Sequence, residues 1–474
     1  MTNRPAPLRI VQVNTSDVGG GAERVALQLH AAYVRAGHDA RLAVGYRRSN
    51  AAGVFRLRHE AAAPPSRAWA WQAFAALQPL YGRMPGGRAL CRAAHWLAAP
   101  EGRTARRAGF EDFDYPAAWT LPAAGADVIH AHNLHGGYFD LRALPTLSRC
   151  APFVLTLHDA WLASGHCAHS LGCERWRSGC GDCPDLRIYP AIRHDQTAAN
   201  WRRKREILTA SQLHLAAPSH WLMQRFDWLI AHRSVLSHRV IPNGVDRRIF
   251  RPPVETRAAL RHRLQLPLDA HILLFAANGL RRNRFKDLDT LRAAVARAST
   301  RIDTPLLLLA LGEAGADERL ERAMLRYLPP TADLAAVANL YQAADLYLHA
   351  AHADTFPNTI LEALACGTPC VATAVGGIPE QIVDLHAARV ADQPTGRLVP
   401  PRDPHALASA ICELLTSDEL RRRLAQNAAA DTARRFDLEA QSRAYLDWYA
   451  EILAAERSLA QPHAAQRPLP VLAR

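Results

Sequence analysis

The stretch LRIVQVNTSDVGGGAERVALQLHAAYVRAGHDARLAVG, residues 8–45, decides the fold. Leu8–Asn14 is a short apolar run typical of a buried strand, and after the turn Gly19–Gly21 the residues Ala22–Ala36 have helical spacing. Asp39–Gly45 is a second run of the strand type. A strand, a glycine turn, a helix and a second strand form the beginning of a βαβ unit, so this stretch predicts a parallel sheet.

The same alternation of strands and helices continues along the chain. Further strands are predicted at Asp127–His132, Phe153–His158, His214–Ala217, Arg239–Ile241, Ile272–Ala277, Leu306–Leu311, Asp345–His349 and Cys370–Thr373. Helices are predicted at Asp287–Ala298, Asn358–Cys366 and Asp437–Leu453, and a linker at Arg251–Pro253. Because the elements form two series of similar size, they predict an α/β protein of two Rossmann-like, doubly wound domains that face each other across a cleft.

The predicted boundaries divide the chain into four parts. Residues 1–245 form an N-terminal Rossmann-like domain with a cysteine-rich loop at 165–185, and residues 246–433 form a C-terminal Rossmann-like domain. Residues 434–457 form a closing helix, and residues 458–474, rich in proline and alanine, form a loose tail.

The composition is that of a globular protein. The chain has 474 residues, of which 49% are hydrophobic, and this excludes a wholly disordered protein. No run of about 18 uncharged apolar residues is present, so no transmembrane helix is expected. The first residues run directly into the apolar run Leu8–Val13, without the core or cleavage site of a signal peptide. These features predict a soluble, cytoplasmic protein.

The chain is strongly basic, with 57 Lys and Arg against 44 Asp and Glu and a net charge of +13. Such a balance suits nucleic acid, an anionic membrane surface or phosphorylated small molecules. No basic run interleaved with aromatic residues resembles a known nucleic-acid-binding module, so nucleic-acid binding is not expected. Only Lys204 and Lys286 are lysines, and the compact ammonium group suits a phosphate contact. Lys204, within WRRKRE, is nevertheless typical of a solvated helix face.

One segment combines aromatic and basic residues. Its apolar members are Trp69, Trp71, Phe74, Leu77, Leu80, Tyr81 and Trp96, and its basic members are Arg67, Arg83, Arg88 and Arg92. The pattern fits an amphipathic surface that lies on a membrane, and it fits equally well a set of helices packed in a domain core. The sequence leaves both interpretations open.

The densest chemical pattern is DTFPNTILEALACGTP, residues 354–369. Asp354 is expected in a loop and Glu362 on the second turn of the following helix. Carboxylates accept paired hydrogen bonds from vicinal hydroxyl groups, and amides at a helix N-terminus favour an anion. Lys286, beside Arg281, offers positive charge for a diphosphate. These residues predict a cleft that binds a phosphorylated and hydroxylated ligand.

The acidic residue followed by Glu eight positions later, and then by ALACGTPCVAT, resembles the family 4 retaining glycosyltransferases, which have the two-domain GT-B fold. Supporting stretches are VNT at 13–15, GGGAE at 19–23, IPNGVD at 241–246 and TGRLVPPRD at 395–403. A closer similarity is to the bacterial exopolysaccharide, or colanic-acid-type, branch. It rests on HAHNLHGGY at 130–138, TLHDAW at 156–161 and CERWRSGCGDCP at 173–184.

The resemblance implies a hexose transfer that retains anomeric configuration. A UDP- or GDP-sugar donor would bind in the C-terminal domain, the acceptor would bind mostly in the N-terminal domain, and the C-terminal helix would return to the N-terminal domain. The implied acceptor is a lipid-linked oligosaccharide in exopolysaccharide, capsule or lipopolysaccharide synthesis, on the cytoplasmic face of the inner membrane. No cofactor is required for this chemistry.

The resemblance also implies roles for individual residues. The implied catalytic residues are Asp354, His158 and Lys286. The implied donor-binding residues are Glu362 at the ribose, Arg281 at the diphosphate, the backbone of Gly20 and Gly21, and Phe356, Pro357, Asn358 and Thr359. The residues on the acceptor side are His132 and Asp159. Asp354 stands where the family usually has Glu, so the reach to the donor sugar differs.

Four cysteines lie close together, at Cys167, Cys173, Cys180 and Cys183. Four thiols in a loop that contains glycines suit a tetrahedral zinc ion, which would be structural because four thiolates leave no open position. Reduced, unpaired thiols and a redox or disulfide role remain alternatives.

Two other functions fit parts of the pattern. Another GT-B enzyme acting on a soluble acceptor would share the same cleft. An NAD-dependent oxidoreductase would share the Rossmann-like domains, but Gly19–Gly21 lacks the G-x-G-x-x-G spacing and no acidic residue closes the second strand. The pattern therefore favours sugar transfer.

Overall fold

The computed structural model describes residues 6–81, 84–121, 125–387, 389 and 393–460. Within these ranges the strands form two sheets of seven strands each. The first sheet contains β1 (Arg9–Ser16), β2 (Asp39–Tyr46), β3 (Val54–Arg56), β4 (Val128–Ala131), β5 (Phe153–Thr156), β6 (Leu213–Ala217) and β7 (Val235–Val240). The second contains β8 (His271–Ala276), β9 (Leu306–Leu311), β10 (Glu318–Leu320), β11 (Ala323–Leu328), β12 (Leu346–His349), β13 (Cys370–Thr373) and β14 (Gly396–Val399).

Helices connect and cover these strands. Those of the first half are α1 (Gly21–Arg35), α2 (His59–Ala62), α3 (Pro65–Leu77), α4 (Gly87–Ala98), α5 (Pro100–Ala108), α6 (Leu144–Cys150), α7 (Thr197–Thr209), α8 (His220–Met223) and α9 (Asp227–Ile230). Those of the second half are α10 (Arg257–Arg263), α11 (Leu288–Ser299), α12 (Leu334–Ala343), α13 (Asn358–Ala365), α14 (Ile378–Gln381), α15 (Pro404–Leu415), α16 (Asp418–Arg435) and α17 (Leu438–Ala460).

The strand order of each sheet places a crevice beside its first strand. The first sheet runs β3-β2-β1-β4-β5-β6-β7 and is parallel throughout, and the second runs β10-β11-β9-β8-β12-β13-β14 with only β10 antiparallel. Both orders reverse direction at their first strand, at β1 and at β8. Loops on the two sides of such a switch point diverge and leave room for a ligand. The prediction of two doubly wound α/β domains is confirmed.

Buried central strands account for the agreement between sequence and structure. Strands β4, β5, β9 and β13 are buried at every residue, as expected of strands covered by helices on both faces. Such strands are continuous apolar runs, and the bounds predicted for β9 and β13 agree with the structure. Strands β3, β10 and β14 lie at sheet edges, contain only three or four residues, and were not predicted.

The last helix, α17, packs against the first sheet. Tyr445, Trp448 and Tyr449 are buried in one cluster with Ile10 of β1 and Leu29 of α1. The C-terminal helix therefore returns to the N-terminal half of the chain, as expected. It continues to Ala460 instead of ending at Leu453, so the first residues of the expected tail are helical. Residues 461–474 of that tail lie outside the described residues.

The predicted domain boundaries at residues 245 and 433 stay predictions. The two sheets themselves lie within residues 9–240 and 271–399. Among the described helices, none is both long enough and apolar enough to cross a membrane.

One part of the segment rich in tryptophan and arginine is packed in a domain core, and another part is exposed. Trp71 and Phe74 of α3 pack with Cys91 and His95 of α4 and with Tyr115 in a small core. Six other large apolar side chains on α3, α4 and the link between them are exposed: Trp69, Tyr81, Met84, Leu90, Trp96 and Leu97. Together with Arg88, Arg92, Arg103 and Arg107 they are called the α3–α5 surface below. Arg83 lies outside the described residues.

Lys204 does not lie on a solvated helix face, and that expectation was wrong. Its side chain is 0% exposed. Its Nζ donates hydrogen bonds to Glu111 Oε1 and to the carbonyl of Trp161, both at a distance of 2.8 Å. The ammonium also lies 4.2 Å from the centre of the Trp161 ring. Asn200 and Leu208, four residues away on either side, are buried as well. Lys204 therefore lies on the same buried face of α7 as Asn200 and Leu208, as the spacing of four residues in a helix indicates.

Replacing Lys204 tests this buried ion pair. We expect Lys204→Met to lower the free energy of unfolding by about 3–5 kcal/mol, because Glu111 is left buried without its partner. The double variant Lys204→Met with Glu111→Gln should recover most of that loss, since no charge remains to be buried. Urea unfolding followed by circular dichroism measures both. A single variant as stable as the wild type would contradict the assignment.

His130 makes stability depend on pH. Its Nδ1 lies 2.7 Å from Tyr449 Oη and its Nε2 lies 2.7 Å from Thr156 Oγ1, and burial lowers its pKa from 6.5 to about 3. In this range the unfolded chain binds a proton that the folded chain does not, so stability falls as pH decreases below 6.5. When the pH is lowered from about 7 to about 5, we expect the free energy of unfolding of His130→Gln to decrease by about 2 kcal/mol less than that of the wild type. Urea unfolding at both pH values measures this, and equal losses would contradict it.

Candidate functional site

The site lies where the carboxyl edges of the two sheets face each other. The loops after β1 and β5 meet the loops after β8 and β12 there, and side chains cross from one domain to the other. Asn358 Nδ2 donates a hydrogen bond of 3.2 Å to the carbonyl of Gly21, and Thr355 Oγ1 donates one of 2.8 Å to the carbonyl of His158. The two halves of the predicted site are therefore in contact.

Two further contacts join the domains beside this site. The Glu380 carboxylate accepts hydrogen bonds from the backbone N–H groups of His220 and Trp221, both at 2.8 Å. Glu380 follows a GGIP turn in the second domain, whereas α8 belongs to the first. Arg284 also forms a salt bridge with Asp185 over 2.6 Å. Polar contacts thus join the two domains on this side of the cleft.

Asp354 and Lys286 form an ion pair at the centre of the site. His349 Nε2 lies 3.2 Å from Asp354 Oδ2 and 3.1 Å from Lys286 Nζ. Burial acts to raise the pKa of Asp354, but Lys286 and His349 hold it well below its usual range. Burial and the neighbouring Lys286 lower the pKa of His349 to about 4. The Asp354 carboxyl group is therefore ionised, and the His349 imidazole beside it is neutral at physiological pH.

His349 was not among the sequence-predicted site residues. It ends β12, five positions before Asp354, and its ring is fully buried. Its Nδ1 lies 3.1 Å from Tyr347 Oη, which fixes the ring. A histidine at the carboxyl end of a buried strand is the signal that could have found it.

Glu362 lies on the second turn of α13, as predicted, and is only 3% exposed. Its Oε2 accepts a hydrogen bond from Tyr341 Oη over 3.0 Å, and its Oε1 pairs with the guanidinium of Arg24 from the first turn of α1. Burial raises the pKa of Glu362, against the opposing effect of Arg24. Arg24 is a second residue that the sequence did not predict; it directly follows the GGGAE turn.

The glycine turn lies against this group. Gly20 N–H donates to Glu23 Oε2 over 2.9 Å, and a Cβ atom on Gly20 would lie equally close to that oxygen. A Cβ on Gly21 would lie 3.5 Å from Asn358 Nδ2. A side chain at Gly20 would therefore displace the end of the Glu23 side chain, whereas one at Gly21 would lie in ordinary contact with Asn358.

Several predicted donor residues lie apart from the Asp354–Lys286 pair. Arg281 forms a salt bridge with Glu313 over 3.0 Å and lies over the ring of Tyr327. Phe356 is buried in the core of the second domain and contacts Phe436. Pro357 precedes α13, and Thr359 lies within its first turn. Of this set, Asn358 is the residue that reaches the other domain.

The predicted acceptor-side residues His132 and Asp159 each pair with another histidine. His132 Nδ1 lies 3.0 Å from His158 Nε2, and burial lowers the pKa of His158 to about 4. Asp159 accepts a hydrogen bond from His135 Nε2 over 2.7 Å and another from Trp161 N–H over 2.9 Å. His132, His158 and Asp159 are thus brought together at the carboxyl ends of β4 and β5.

A cavity of about 1110 Å³ opens beside these pairs. It extends from Gly19 and Glu23 to the helices α3 and α4, and it includes Arg47, Arg48 and Arg92 in its lining. No carboxylate within the described part of the chain forms a salt bridge with these three arginines. The cavity is large enough for a small-molecule ligand and has an unneutralised positive rim.

The four cysteines of the loop at 165–185 are partly buried and form no disulfide. Cys183 Sγ lies 3.4 Å from His166 Nε2, and Cys180 Sγ accepts a hydrogen bond from Gly165 N–H. Burial raises the pKa of Cys180 to about 11. Among the described residues, no group of three or more His, Cys, Asp or Glu is arranged to hold a metal ion. The zinc site at Cys167, Cys173, Cys180 and Cys183 stays a prediction.

Known proteins resemble the chain over different lengths. A D-inositol 3-phosphate glycosyltransferase from Xylanimonas cellulosilytica is 36% identical over 224 residues, or 45% of this chain and 51% of that protein. The chain spans about half the length of the curated relatives it matches.

Solved structures cover nearly the whole chain. Sucrose-phosphate synthase from Thermosynechococcus elongatus has a TM-score of 0.60 at 20% identity, over 94% of this chain and 100% of that one. HepE from Anabaena, solved in complex with UDP-glucose, has a TM-score of 0.55 at 20% identity. The likeness covers 94% of this chain and 99% of that one. At these identities the likeness establishes the fold.

The family model described as "Glycosyl transferases group 1" matches residues 257–431, from α10 to α16. This range contains Lys286, Asp354 and Glu362, which the sequence predicted as site residues. Residues 257–431 are therefore a group 1 glycosyltransferase domain, the domain type of a transferase enzyme, in a chain with the two-domain GT-B fold.

Proposed function

We propose that the chain is a retaining glycosyltransferase that moves a hexose from a UDP- or GDP-sugar to a lipid-linked glycan at the cytoplasmic face of the inner membrane. The observation that carries this proposal is the group formed by Lys286, Asp354 and Glu362 at the crevice of the group 1 domain. It offers a cation for a diphosphate and carboxylates for sugar hydroxyls. The product would be exopolysaccharide, capsule or lipopolysaccharide.

The donor is argued from charge and burial. Glu362 is a buried carboxylate that can accept hydrogen bonds from the two ribose hydroxyls, and its Oε1 is the atom that Arg24 holds. The Lys286 side chain is 12% exposed, and the positive charge of its ammonium group suits the diphosphate. HepE, a structural neighbour, was solved with UDP-glucose. A nucleoside diphosphate sugar satisfies both residues at once.

The chemistry follows from the leaving group. As the bond from the anomeric carbon to the diphosphate breaks, negative charge grows on the phosphate oxygens, and Lys286 would stabilise it. The acceptor oxygen forms the new bond on the same face, and its proton passes to the departing phosphate. Asp354 is already bound by Lys286 and His349, so it is a poor nucleophile and suits an orienting role at the donor sugar.

The lipid-linked acceptor is argued from the α3–α5 surface. Trp69 is 59% exposed and Trp96 is 41% exposed, and the Arg103 guanidinium lies 3.8 Å from the Trp96 ring centre. Exposed tryptophans among arginines are typical of proteins that lie on anionic membranes. Tyr81 and Arg92 belong both to this surface and to the lining of the cavity. A lipid anchor held in the membrane would therefore bring its glycan to the cavity mouth.

A second candidate acceptor is a soluble phosphorylated compound. The arginines of the cavity, Arg47, Arg48 and Arg92, suit a phosphate whether or not a lipid carries it. The relative from Xylanimonas cellulosilytica is named for inositol 3-phosphate. Membrane binding separates the two candidates.

Nucleotide binding tests the donor site. We expect either UDP or GDP, but not NADH, to raise the melting temperature of the wild type. Glu362→Gln and Lys286→Ala should each weaken binding about tenfold or more, because each loses a charged contact. Arg282→Gln, on the same loop as Lys286 but exposed, is the matched control. Nucleotide affinities unchanged in both site variants would refute the donor site.

Vesicle binding tests the membrane surface. We expect the protein to sediment with vesicles of phosphatidylglycerol and phosphatidylethanolamine at low salt. The double variant Trp69→Ala with Trp96→Ala should bind about tenfold more weakly, since it loses apolar area that enters the interface. Trp119→Ala removes an equally exposed tryptophan outside this surface and serves as the control. Absence of wild-type binding would favour the soluble acceptor.

A further inference from the structure

A second cavity lies at the opposite edge of the second sheet from the Asp354–Lys286 pair. Its volume is about 460 Å³, which is within the range of small-molecule sites. It opens at the amino ends of the strands, since His271 begins β8 and Asp345 and Pro369 directly precede β12 and β13. Its other wall is formed by α10 and α16. Because Lys286 and Asp354 follow the carboxyl ends of β8 and β12, a ligand in this cavity is separated from them by the length of a strand.

Four arginine side chains line this cavity: Arg257 and Arg261 of α10, and Arg421 and Arg422 of α16. Arg257 and Arg421 lie in the first turns of their helices, where the positive end of the helix dipole disfavours a cation. Helix stability therefore does not account for arginines at these positions. Clustered guanidinium groups around a cavity suit an anionic ligand.

Two of these arginines are held within the protein. Arg261 donates hydrogen bonds to two backbone carbonyls and one of 2.7 Å to Asp345 Oδ2. Arg421 likewise donates to two backbone carbonyls and pairs with Asp418. These two side chains therefore form a fixed, positively charged part of the wall.

The other two arginines keep N–H groups that a ligand can reach. Arg257 Nη1 donates a hydrogen bond of 3.1 Å to Asp345 Oδ1, but Nε and Nη2 have no partner among the described residues, and the side chain is 39% exposed. Arg422 is exposed, and its side chain forms neither a hydrogen bond nor a salt bridge with any residue that the structure describes. Phosphate oxygens accept strong, paired hydrogen bonds from guanidinium groups, so Arg257 and Arg422 offer this cavity to a phosphate group.

One acidic side chain of the lining is also available. Asp345 and Asp418 are each bound by an arginine, whereas Asp269 is exposed and forms no salt bridge within the described ranges. A carboxylate repels a bare phosphate ion, but it accepts hydrogen bonds from hydroxyl groups. Leu268 and Pro369 add apolar surface to the lining. A molecule that carries both a phosphate and hydroxyl groups on a carbon skeleton matches all three kinds of surface.

We propose that this cavity is a second ligand site and that it binds a small sugar phosphate. Arg257 and Arg422 bind the phosphate group, and Asp269 accepts a hydrogen bond from a sugar hydroxyl group. The site is independent of the proposed sugar transfer, because it lies at the other edge of the sheet and its ligand does not meet the donor.

A local NMR signal tests the proposal. Leu268 lines the cavity and is exposed, so its methyl signals, assigned with Leu268→Met, report binding there rather than in the cleft. The probes are glucose 6-phosphate, fructose 6-phosphate and inorganic phosphate. We expect at least one of the two sugar phosphates to shift the Leu268 signals, with a Kd on the order of 1 mM or below. Inorganic phosphate should bind more weakly, because it has no sugar hydroxyl groups for Asp269.

Arginine variants identify the groups that bind the phosphate. Arg422→Gln should weaken binding of the sugar phosphate about fivefold, since it removes a charged contact, and the double variant with Arg257→Gln should weaken it further. Arg423→Gln removes an exposed neighbour on α16 that does not line the cavity, and it is the matched control. Because Arg422 has no partner in the described part of the protein, its replacement should leave the melting temperature unchanged.

Three outcomes would overturn the proposal. The first is that neither sugar phosphate shifts the Leu268 signals of the wild type. The second is that inorganic phosphate binds as tightly as both sugar phosphates. The third is that Arg422→Gln and the double variant bind the sugar phosphate as tightly as Arg423→Gln does.

Discussion

The neighbouring positions of β8 and β12 in the second sheet place the ion pair of Lys286 with Asp354 at the crevice. Lys286 follows β8 and Asp354 follows β12, and the parallel pairing of these strands sets the two loops side by side. His349, at the end of β12, contacts both members. Because only 12% of the Lys286 side chain and 17% of the Asp354 side chain are exposed, loss of either partner would leave the other poorly compensated, and the pair holds both loops in one arrangement. The position of α13, and with it Glu362, follows from that arrangement.

Local patterns carried most of the successful prediction. The βαβ start, the central strands and the placement of Glu362 on the second turn of α13 each depend on residues close together in sequence. Runs of buried apolar residues and helical spacing are enough to reveal them. The edge strands β3, β10 and β14 have only three or four residues and were missed, and β11, which has six residues and is paired on both sides, was missed as well.

Partnerships between distant residues could not be read from the sequence. Arg24 meets Glu362 across 338 positions, and nothing local to either residue indicates the other. The expectation for Lys204 failed for the same reason: its charged neighbours suggested solvent, whereas its partner Glu111 lies 93 positions away. The resemblance implies that Arg281 contacts the diphosphate, and this stays a prediction; the sequence did not indicate its salt bridge with Glu313. Spacing gives the loop on which a residue lies but not the direction of its side chain.

The contact of Arg24 with Glu362 has a kinetic consequence. The two residues belong to different domains, so any group that takes Glu362 Oε1 must first displace the guanidinium that joins the domains there. A ligand that competes for this oxygen therefore has to break one contact between the domains, so its association includes a side-chain rearrangement as well as diffusion. The equilibrium affinity likewise includes the free energy needed to break this contact.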